Sequence, residues 1–144
     1  MPFDGVRGGD VFYGKFDSAG RLKMFVKHLR ECPEFRGGDG SKLREFLHPA
    51  KTDLEIGYSL AHAKVGRGQK TLPHKLKSCE VYYIIEGKGV MHIDEERFEV
   101  EGDCAVYIRP NARQYIENTG EDDLKFLCIV EPAWRREDEE VFEE

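Results

Sequence analysis

The sequence predicts an all-β protein, folded as a sandwich or barrel, and two observations lead to this prediction. From residue 54 onward, short segments rich in β-branched and aromatic residues follow one another along the chain. Clusters of Gly, Asp, Asn and Pro separate these segments at close and regular intervals. Many short strands joined by such turns are typical of two packed β-sheets or of one closed sheet.

The predicted strands belong to one barrel, which we place at residues 54–134. They cover residues 55–65, 80–85, 89–94, 97–101, 104–109, 114–118 and 124–131. The turns between them, such as EGKG, RPNA and NTGEDD, contain the residues that most readily adopt turn conformations. The spacing therefore predicts antiparallel strands that are close neighbours in the chain.

Residues 1–53 are predicted to form a β-rich arm, made of a hairpin and a loop, that packs on the barrel or on a dimer partner. Two β-rich runs flank the turn-like tetrapeptide DSAG within residues 11–26, which predicts the hairpin. Apolar residues at helical spacing leave a helix over residues 21–31 as the alternative. Residues 33–42 are predicted to be a loop, and residues 43–49 a short strand or turn.

The tail at residues 135–144 is strongly acidic, and we expect a solvated helix or a frayed end there.

The formal net charge of the whole chain is −6, and no basic patch is evident in the sequence, so a nucleic-acid partner is not expected. No apolar run approaches the length of a membrane span, and no secretory signal is visible. The four cysteines contain no C-x-x-C pair, and we expect them to be reduced in a cytoplasmic protein.

The stretch HKLKSCEVYYIIEGKG at residues 74–89 contains the candidate site. In an extended strand alternate side chains share a face, so His74, Leu76 and Glu80 are expected on one side. An imidazole and a carboxylate on the same face suit a first-row transition metal. Tyr82 has the same parity as Glu80, so its phenol is expected to line the same cavity and to act as a hydrogen-bond donor.

Two motifs make the chain resemble the cupin superfamily over residues 58–131. The first motif matches at Gly68, His74, Glu80 and Gly87, with Leu76 in place of its second His. The second motif resembles GDCAVYIRPNARQYIEN, with Asn111 in place of a Gly and Gln114 in place of a His. It matches the motif at Gly102, Pro110 and Asn118. The resemblance implies a jelly roll, the double-stranded β-helix, whose two sheets enclose a cavity.

The resemblance also implies a ligand set for a divalent transition metal, either Mn, Fe, Ni or Zn. Carried over residue by residue, that set is His74, Glu80 and Gln114, with Leu76 at the vacant fourth position. Leu76 and Tyr82 are then expected to line the ligand pocket. The alternative is a metal-free cavity in which His74, Glu80 and Gln114 hydrogen-bond to one another, since a buried carboxylate needs donors.

The remaining histidines are not expected to be cavity ligands. His62 alternates with small apolar residues, which predicts that it points away from the cavity. His92 is expected to pair near Tyr83 across the turn at residues 86–89 and so to face away from Glu80. His28 and His48 are interpreted as surface or capping residues.

Three functions are compatible with the sequence, and whether the chain is an enzyme stays open. The first is a metal-dependent enzyme for a small polar metabolite, with a sugar, sugar phosphate or keto acid as examples and isomerase- or dioxygenase-like chemistry. The second is a metal-free module that binds a small molecule, and the third is a dimeric scaffold. The resemblance to small cupins implies a homodimer, often formed by exchange of N-terminal strands.

Overall fold

The computed structural model describes residues 6–7, 10–11 and 13–143, and almost all of the regular structure is β-strand. The strands are β1 (Val6–Arg7), β2 (Asp10–Val11), β3 (Tyr13–Phe16), β4 (Leu22–Val26), β5 (Glu34–Arg36), β6 (Lys42–Leu47), β7 (Ser59–Val65), β8 (His74–Leu76), β9 (Cys79–Glu86), β10 (Lys88–Ile93), β11 (Glu96–Glu101), β12 (Ala105–Ile108), β13 (Gln114–Asn118), β14 (Leu124–Glu131) and β15 (Glu139–Val141). Two single-turn 3-10 helices lie at Leu29–Glu31 and Arg136–Asp138.

Two antiparallel sheets pack face to face. One has the strand order β11-β10-β13-β8-β15, and the other has the order β12-β9-β14-β7-β6-β5. Side chains from both sheets form the hydrophobic core, among them Met91 and Ile116 from the first and Ile84 and Phe126 from the second. The prediction of an all-β jelly roll is therefore confirmed.

Strand β9 shows how alternation places the site. Glu80, Tyr82 and Ile84 are buried, whereas Tyr83 and Ile85 are 39% and 41% exposed. Since side chains of a strand alternate between its faces, the cavity face predicted for Glu80 and Tyr82 is confirmed. One strand thus carries both the polar group of the site and part of the core beside it.

The predicted N-terminal hairpin is confirmed for the described residues, because β3 pairs antiparallel with β4 around the DSAG turn. The alternative helix over residues 21–31 is wrong, since only residues 29–31 form a helical turn. The predicted loop at residues 33–42 is wrong in part, because residues 34–36 form β5 and pair with β6. Strands β5 and β6 extend the six-stranded sheet, which places part of the arm against the barrel cavity.

The acidic tail does not fray throughout, because residues 139–141 form β15 and pair with β8. The amide of Phe142 continues this pairing by donating to the carbonyl oxygen of Pro73 at 2.8 Å. Without β15, the backbone groups of the short strand β8 would face solvent on one side. The tail therefore covers the sheet edge next to His74.

Two motif positions have backbone conformations that explain their residue types. Gly87 has a φ of 97°, and an added Cβ would lie 2.8 Å from the carbonyl oxygen of Asp123. Asn111 has a φ of 65°, a left-handed conformation that Asn tolerates better than most residues with a side chain. Asn can therefore stand where the second motif carries a Gly.

All four cysteines are free thiols, as the sequence predicts. Among residues 6–7, 10–11 and 13–143, no helix is long and apolar enough to cross a membrane.

Candidate functional site

A cavity of about 320 Å³ lies between the two sheets. Its lining includes the ionisable side chains of His74, Glu80, Asp39 and Glu139. Its apolar walls are formed by Phe35, Leu43, Leu76, Tyr82, Phe126 and Trp134. The cavity therefore combines a group of ionisable side chains with a large apolar surface, an arrangement typical of small-molecule sites.

His74 is the first residue of β8, and its imidazole is held in one orientation. Its Nδ1 lies 2.8 Å from the carbonyl oxygen of Leu72, and because that oxygen can only accept, Nδ1 carries the proton. In the neutral form of the ring, Nε2 is then the nitrogen with the lone pair. The nearby Oδ2 of Asp39 is 3.9 Å from Nε2, which is beyond hydrogen-bonding distance.

Glu80 is buried, and its Oε1 has no hydrogen-bond partner among the described residues. Burial raises the pKa of Glu80 to about 8, and the negative charges of Asp39 and Glu139 act in the same direction. A hydrogen bond from Gln114 opposes this rise. The carboxyl is therefore largely protonated at neutral pH unless a cation lies beside it.

Gln114 and Tyr82 form a hydrogen-bonded pair next to Glu80. The Tyr82 hydroxyl donates to Oε1 of Gln114 at 3.1 Å, and both side chains are buried. Burial, followed by the charge of Glu80, raises the pKa of Tyr82, so the phenol remains a donor. Gln114 also lowers the pKa of Glu80 through a side-chain hydrogen bond, which connects Tyr82 through Gln114 to the carboxyl.

The structure brings the predicted site residues to one region but does not assemble a complete ligand sphere. His74 and Gln114 are directly opposite each other in the pairing of β8 with β13. Leu76 is buried in the cavity wall and offers no ligand atom. Within the part of the chain that the structure describes, no three His, Cys, Asp or Glu side chains are grouped closely enough to hold a metal.

The three residues of the predicted ligand set nevertheless keep donor atoms that a divalent ion could use. Nε2 of His74 and Oε1 of Glu80 each have no hydrogen bond within the described part of the chain. An amide oxygen has two lone pairs, so Oε1 of Gln114 can accept from Tyr82 and still offer one to an ion. A metal-binding His usually donates its other ring N–H to a carbonyl or carboxylate, as His74 does to Leu72.

Sequence reasoning missed Asp39 and Glu139. Asp39 lies between β5 and β6, where its Oδ1 accepts hydrogen bonds from the amide and hydroxyl of Ser41 at 3.0 and 2.6 Å. Glu139 lies on β15, and burial raises its pKa. The segments GGDGSK and RREDEEVFEE contain only the signals of a turn and of a solvated tail, so no local pattern assigns these residues to a site.

The other histidines lie outside the cavity lining, as predicted, but one reason was wrong. His92 does not pair near Tyr83, because β10 pairs with β11 and β13 in the opposite sheet. Its ring stacks on Tyr115 at 4.1 Å, and its Nε2 lies 2.6 Å from Oε1 of Glu117. His28 accepts a hydrogen bond from the Arg30 amide at the start of a 3-10 helix, which confirms its capping role. His48 is buried beside a turn, where its Nε2 lies 2.7 Å from the carbonyl oxygen of Trp134, so the prediction of a surface residue is wrong for it.

The comparisons with known proteins agree with this architecture. A family model described as a cupin domain matches residues 61–130. An uncharacterized protein of Methanocaldococcus jannaschii is 46% identical over 123 residues, which are 85% of this chain and 98% of that protein. An oxalate-binding protein of Thermotoga maritima is 28% identical over 112 residues, which are 74% of this chain and 93% of the relative.

Solved structures show the same fold at lower identity. A predicted oxalate decarboxylase of Thermotoga maritima superposes with a TM-score of 0.65 at 23% identity, over 74% of this chain and 97% of that one. A Streptomyces protein crystallised with uridine superposes with a TM-score of 0.67 at 18% identity, over 83% of this chain and 91% of the other. These two proteins are named for different ligands, so the likeness extends to the fold alone.

Proposed function

The chain belongs to the cupin family, and from this premise we propose that its cavity binds a small polar metabolite beside a divalent transition metal ion. One observation carries the proposal. His74 and Glu80 line the same cavity, and Oε1 of Glu80 is buried without a hydrogen-bond partner among the described residues. Leaving a buried carboxyl oxygen without a partner is costly, and a cation that binds it removes this cost.

We assign His74 and Glu80 as the strong ligands and Gln114 as the weak one. Asp39 is a further oxygen donor close to His74, but 3.9 Å exceeds the roughly 3.0–3.5 Å expected between two donors on one ion with bonds of about 2.1 Å. Asp39 would therefore have to move toward His74 in order to bind the ion directly. The three assigned ligands leave open positions for water or for the metabolite.

A bound ion supplies a Lewis acid that polarises an oxygen of the metabolite. In the metal-free protein burial raises the pKa of Glu80 to about 8, so the ion would displace the proton of this carboxyl when it binds near neutral pH. Tyr82 orients Gln114 and stays protonated, so we assign it a positioning role rather than that of a base. The apolar walls exclude water from one side of the metabolite.

The charges of the cavity limit which metabolite fits without a metal. Arg36 and Lys51 are the Arg and Lys side chains of the lining, and each already makes a contact within the protein. Arg36 donates to the carbonyl oxygen of Gly40 at 2.8 Å, and Lys51 pairs with Glu45 at 2.6 Å. A dicarboxylate such as the ligand named for the Thermotoga oxalate-binding relative would then meet Asp39 and Glu139, with Arg36 as the lining cation that is in no ion pair with the described residues. We therefore propose that such an anion would bind more tightly with a metal held by His74 and Glu80 than without one.

A metal-free binding pocket is the second candidate, and a different observation favours it. The hydrogen bonds from Tyr82 to Gln114 and from Gln114 to Glu80 satisfy most of the buried polar groups without a cation. Leu76 also removes one ligand position. In this case the protonated Glu80 would donate a hydrogen bond from Oε1 to an acceptor on the metabolite.

Elemental analysis after separate loading with Mn²⁺, Fe²⁺, Ni²⁺ and Zn²⁺ distinguishes the two candidates. We expect about one ion per chain for at least one metal and a sharp loss in His74→Ala. His92→Ala is the matched control, because His92 lies outside the cavity lining. A stoichiometry near zero for all four metals would leave the metal-free pocket, and equal losses in both variants would place the ion elsewhere.

A further inference from the structure

A second cleft lies on the outer face of the six-stranded sheet. On β7, Ala63 and Val65 point into the core, so His62 and Lys64 point to the opposite face. There they line a cleft of about 320 Å³, together with side chains of β6, β14 and the segment around Leu29. This cleft shares no lining residue with the barrel cavity. An inference about the cleft is therefore independent of the function proposed for the cavity.

Three lysines stand in a row across this face. Lys42 on β6 is directly opposite Lys64 on β7, and Lys64 is directly opposite Lys125 on β14. Arg44 lies directly opposite His62 in the neighbouring row. Like charges directly opposite each other destabilise a sheet, so this arrangement opposes folding in the absence of a counter-charge.

The carboxylates around the cleft compensate these cations only in part. Glu34 lies 3.6 Å from Arg44 and 3.5 Å from Lys64, and Glu86 lies 2.8 Å from Lys125. The cleft also contains the Arg30 side chain, so five cationic side chains face two carboxylates. Lys42 forms no ion pair with any residue that the structure describes. A positive excess is thus concentrated here, although the formal net charge of the chain is −6.

His62 gives a second and independent indication of a ligand. Its side chain lines the cleft with a relative exposure of 8%, and it makes no hydrogen bond to any of the described residues. Burial lowers the pKa of His62, and the positive charges of Lys125, Arg44 and Lys64 lower it further. A buried imidazole without a protein partner therefore faces a positively charged cleft.

From this arrangement we infer that the cleft binds a small, multiply charged anion of the phosphate or phosphate-monoester class. The lysine ammonium groups supply charge and donors for phosphate oxygens, and the N–H of His62 supplies a donor beneath them. The anion offsets the repulsion within the lysine row. A small anion fits better than a nucleic acid, because the positive charge is confined to one cleft of an acidic protein.

Titration with inorganic phosphate at constant ionic strength tests this inference. Calorimetry should show saturable binding, and NMR should show that phosphate raises the pKa of His62. The double variant Lys42→Gln/Lys64→Gln should weaken binding by about tenfold or more, as expected for the loss of charged hydrogen bonds. Lys88→Gln is the matched control, because Lys88 is exposed on the other sheet, and it should leave the affinity within about twofold.

The stability of the double variant separates a binding defect from a folding defect. Without phosphate, removal of two like charges should leave the variant at least as stable as the wild type in urea.

A sugar phosphate used as a second probe should bind more tightly than phosphate if the natural ligand is an ester. Absence of saturable phosphate binding, an unchanged His62 pKa, an equal loss in Lys88→Gln or binding of only an oligonucleotide would each overturn the inference. Metal analysis of the barrel is unaffected by any of these outcomes.

Discussion

The Tyr82 hydroxyl donates a hydrogen bond of 3.1 Å to Oε1 of Gln114, and this bond joins the two sheets of the barrel beside the cavity. Tyr82 belongs to β9 and Gln114 to β13, which lie in different sheets. Because both side chains are buried, the bond orients the Gln114 amide toward Glu80. The hydrogen bond between Tyr82 and Gln114 thus connects the packing of the two sheets to the protonation of the Glu80 carboxyl.

Tyr82→Phe should lower the free energy of unfolding, because Oε1 of Gln114 loses its buried donor while the aromatic ring is kept. We expect a loss of about 1–3 kcal/mol, measured by urea unfolding. Tyr107→Phe is the control, since Tyr107 is 65% exposed and should change stability by less than about 0.5 kcal/mol. Equal effects of the two substitutions would show that the bond contributes no stability.

Stability should fall as pH rises, because the pKa of Glu80 is raised from its ordinary value of 4.5 to about 8 in the folded protein. Between these values the folded state holds one more proton than the unfolded state, so deprotonation favours unfolding, and the effect levels off above pH 8. The free energy of unfolding of Glu80→Gln, measured in urea, should therefore exceed that of the wild type as pH rises. The difference should reach the order of a few kcal/mol. For the exposed control Glu101→Gln, the free energy of unfolding should change with pH as it does in the wild type.

Asp39→Asn should lower the pKa of Glu80, because the Asp39 charge is the second largest cause of its rise. Carboxyl NMR of the metal-free protein measures the shift directly. Asp53→Asn is the matched control, since Asp53 is exposed and outside the cavity lining. An unchanged Glu80 titration in Asp39→Asn would show that the two carboxyls do not interact across the cavity.

Oxalate should bind more tightly to metal-loaded protein, because Lys51 is already paired with Glu45 and Asp39 and Glu139 oppose a dianion in the cavity. Calorimetry with and without Mn²⁺ measures this dependence. His74→Ala should abolish the metal-dependent part of oxalate binding, whereas His92→Ala should retain it. Oxalate binding of equal affinity in the chelator-treated protein would contradict the proposed role of the metal.

A homodimer is the association state that we expect. The hairpin of β3 and β4 exposes Met24 and Val26, at 41% and 52%, and forms a two-stranded sheet of its own. A second copy that covers this apolar surface would lower the free energy of the pair. Light scattering at micromolar concentration should give twice the chain mass of 16.6 kDa. A monomer mass would refute the dimer, and Val26→Lys should shift a dimer toward monomer.

The sequence by itself determined the class of fold, most strand positions and the faces of the motif residues. The strands at 114–118 and 124–131 have the predicted bounds, and Glu80, Tyr82 and Ile84 share the predicted face. These features are local, because a period of two along a strand and a turn-forming cluster can each be read from neighbouring residues. The strand predicted at 55–65 begins later, at Ser59.

Only the tertiary structure decided which distant segments meet. Strands β9 and β10 are adjacent in sequence yet enter different sheets, so the expected pairing of His92 with Tyr83 was wrong. Asp39 and Glu139 enter the cavity from opposite ends of the chain, and the lysine row combines three strands. Strand order depends on which apolar faces bury one another, which is a property of the whole chain. No local pattern encodes it, and for that reason these charged groups become visible only in the fold.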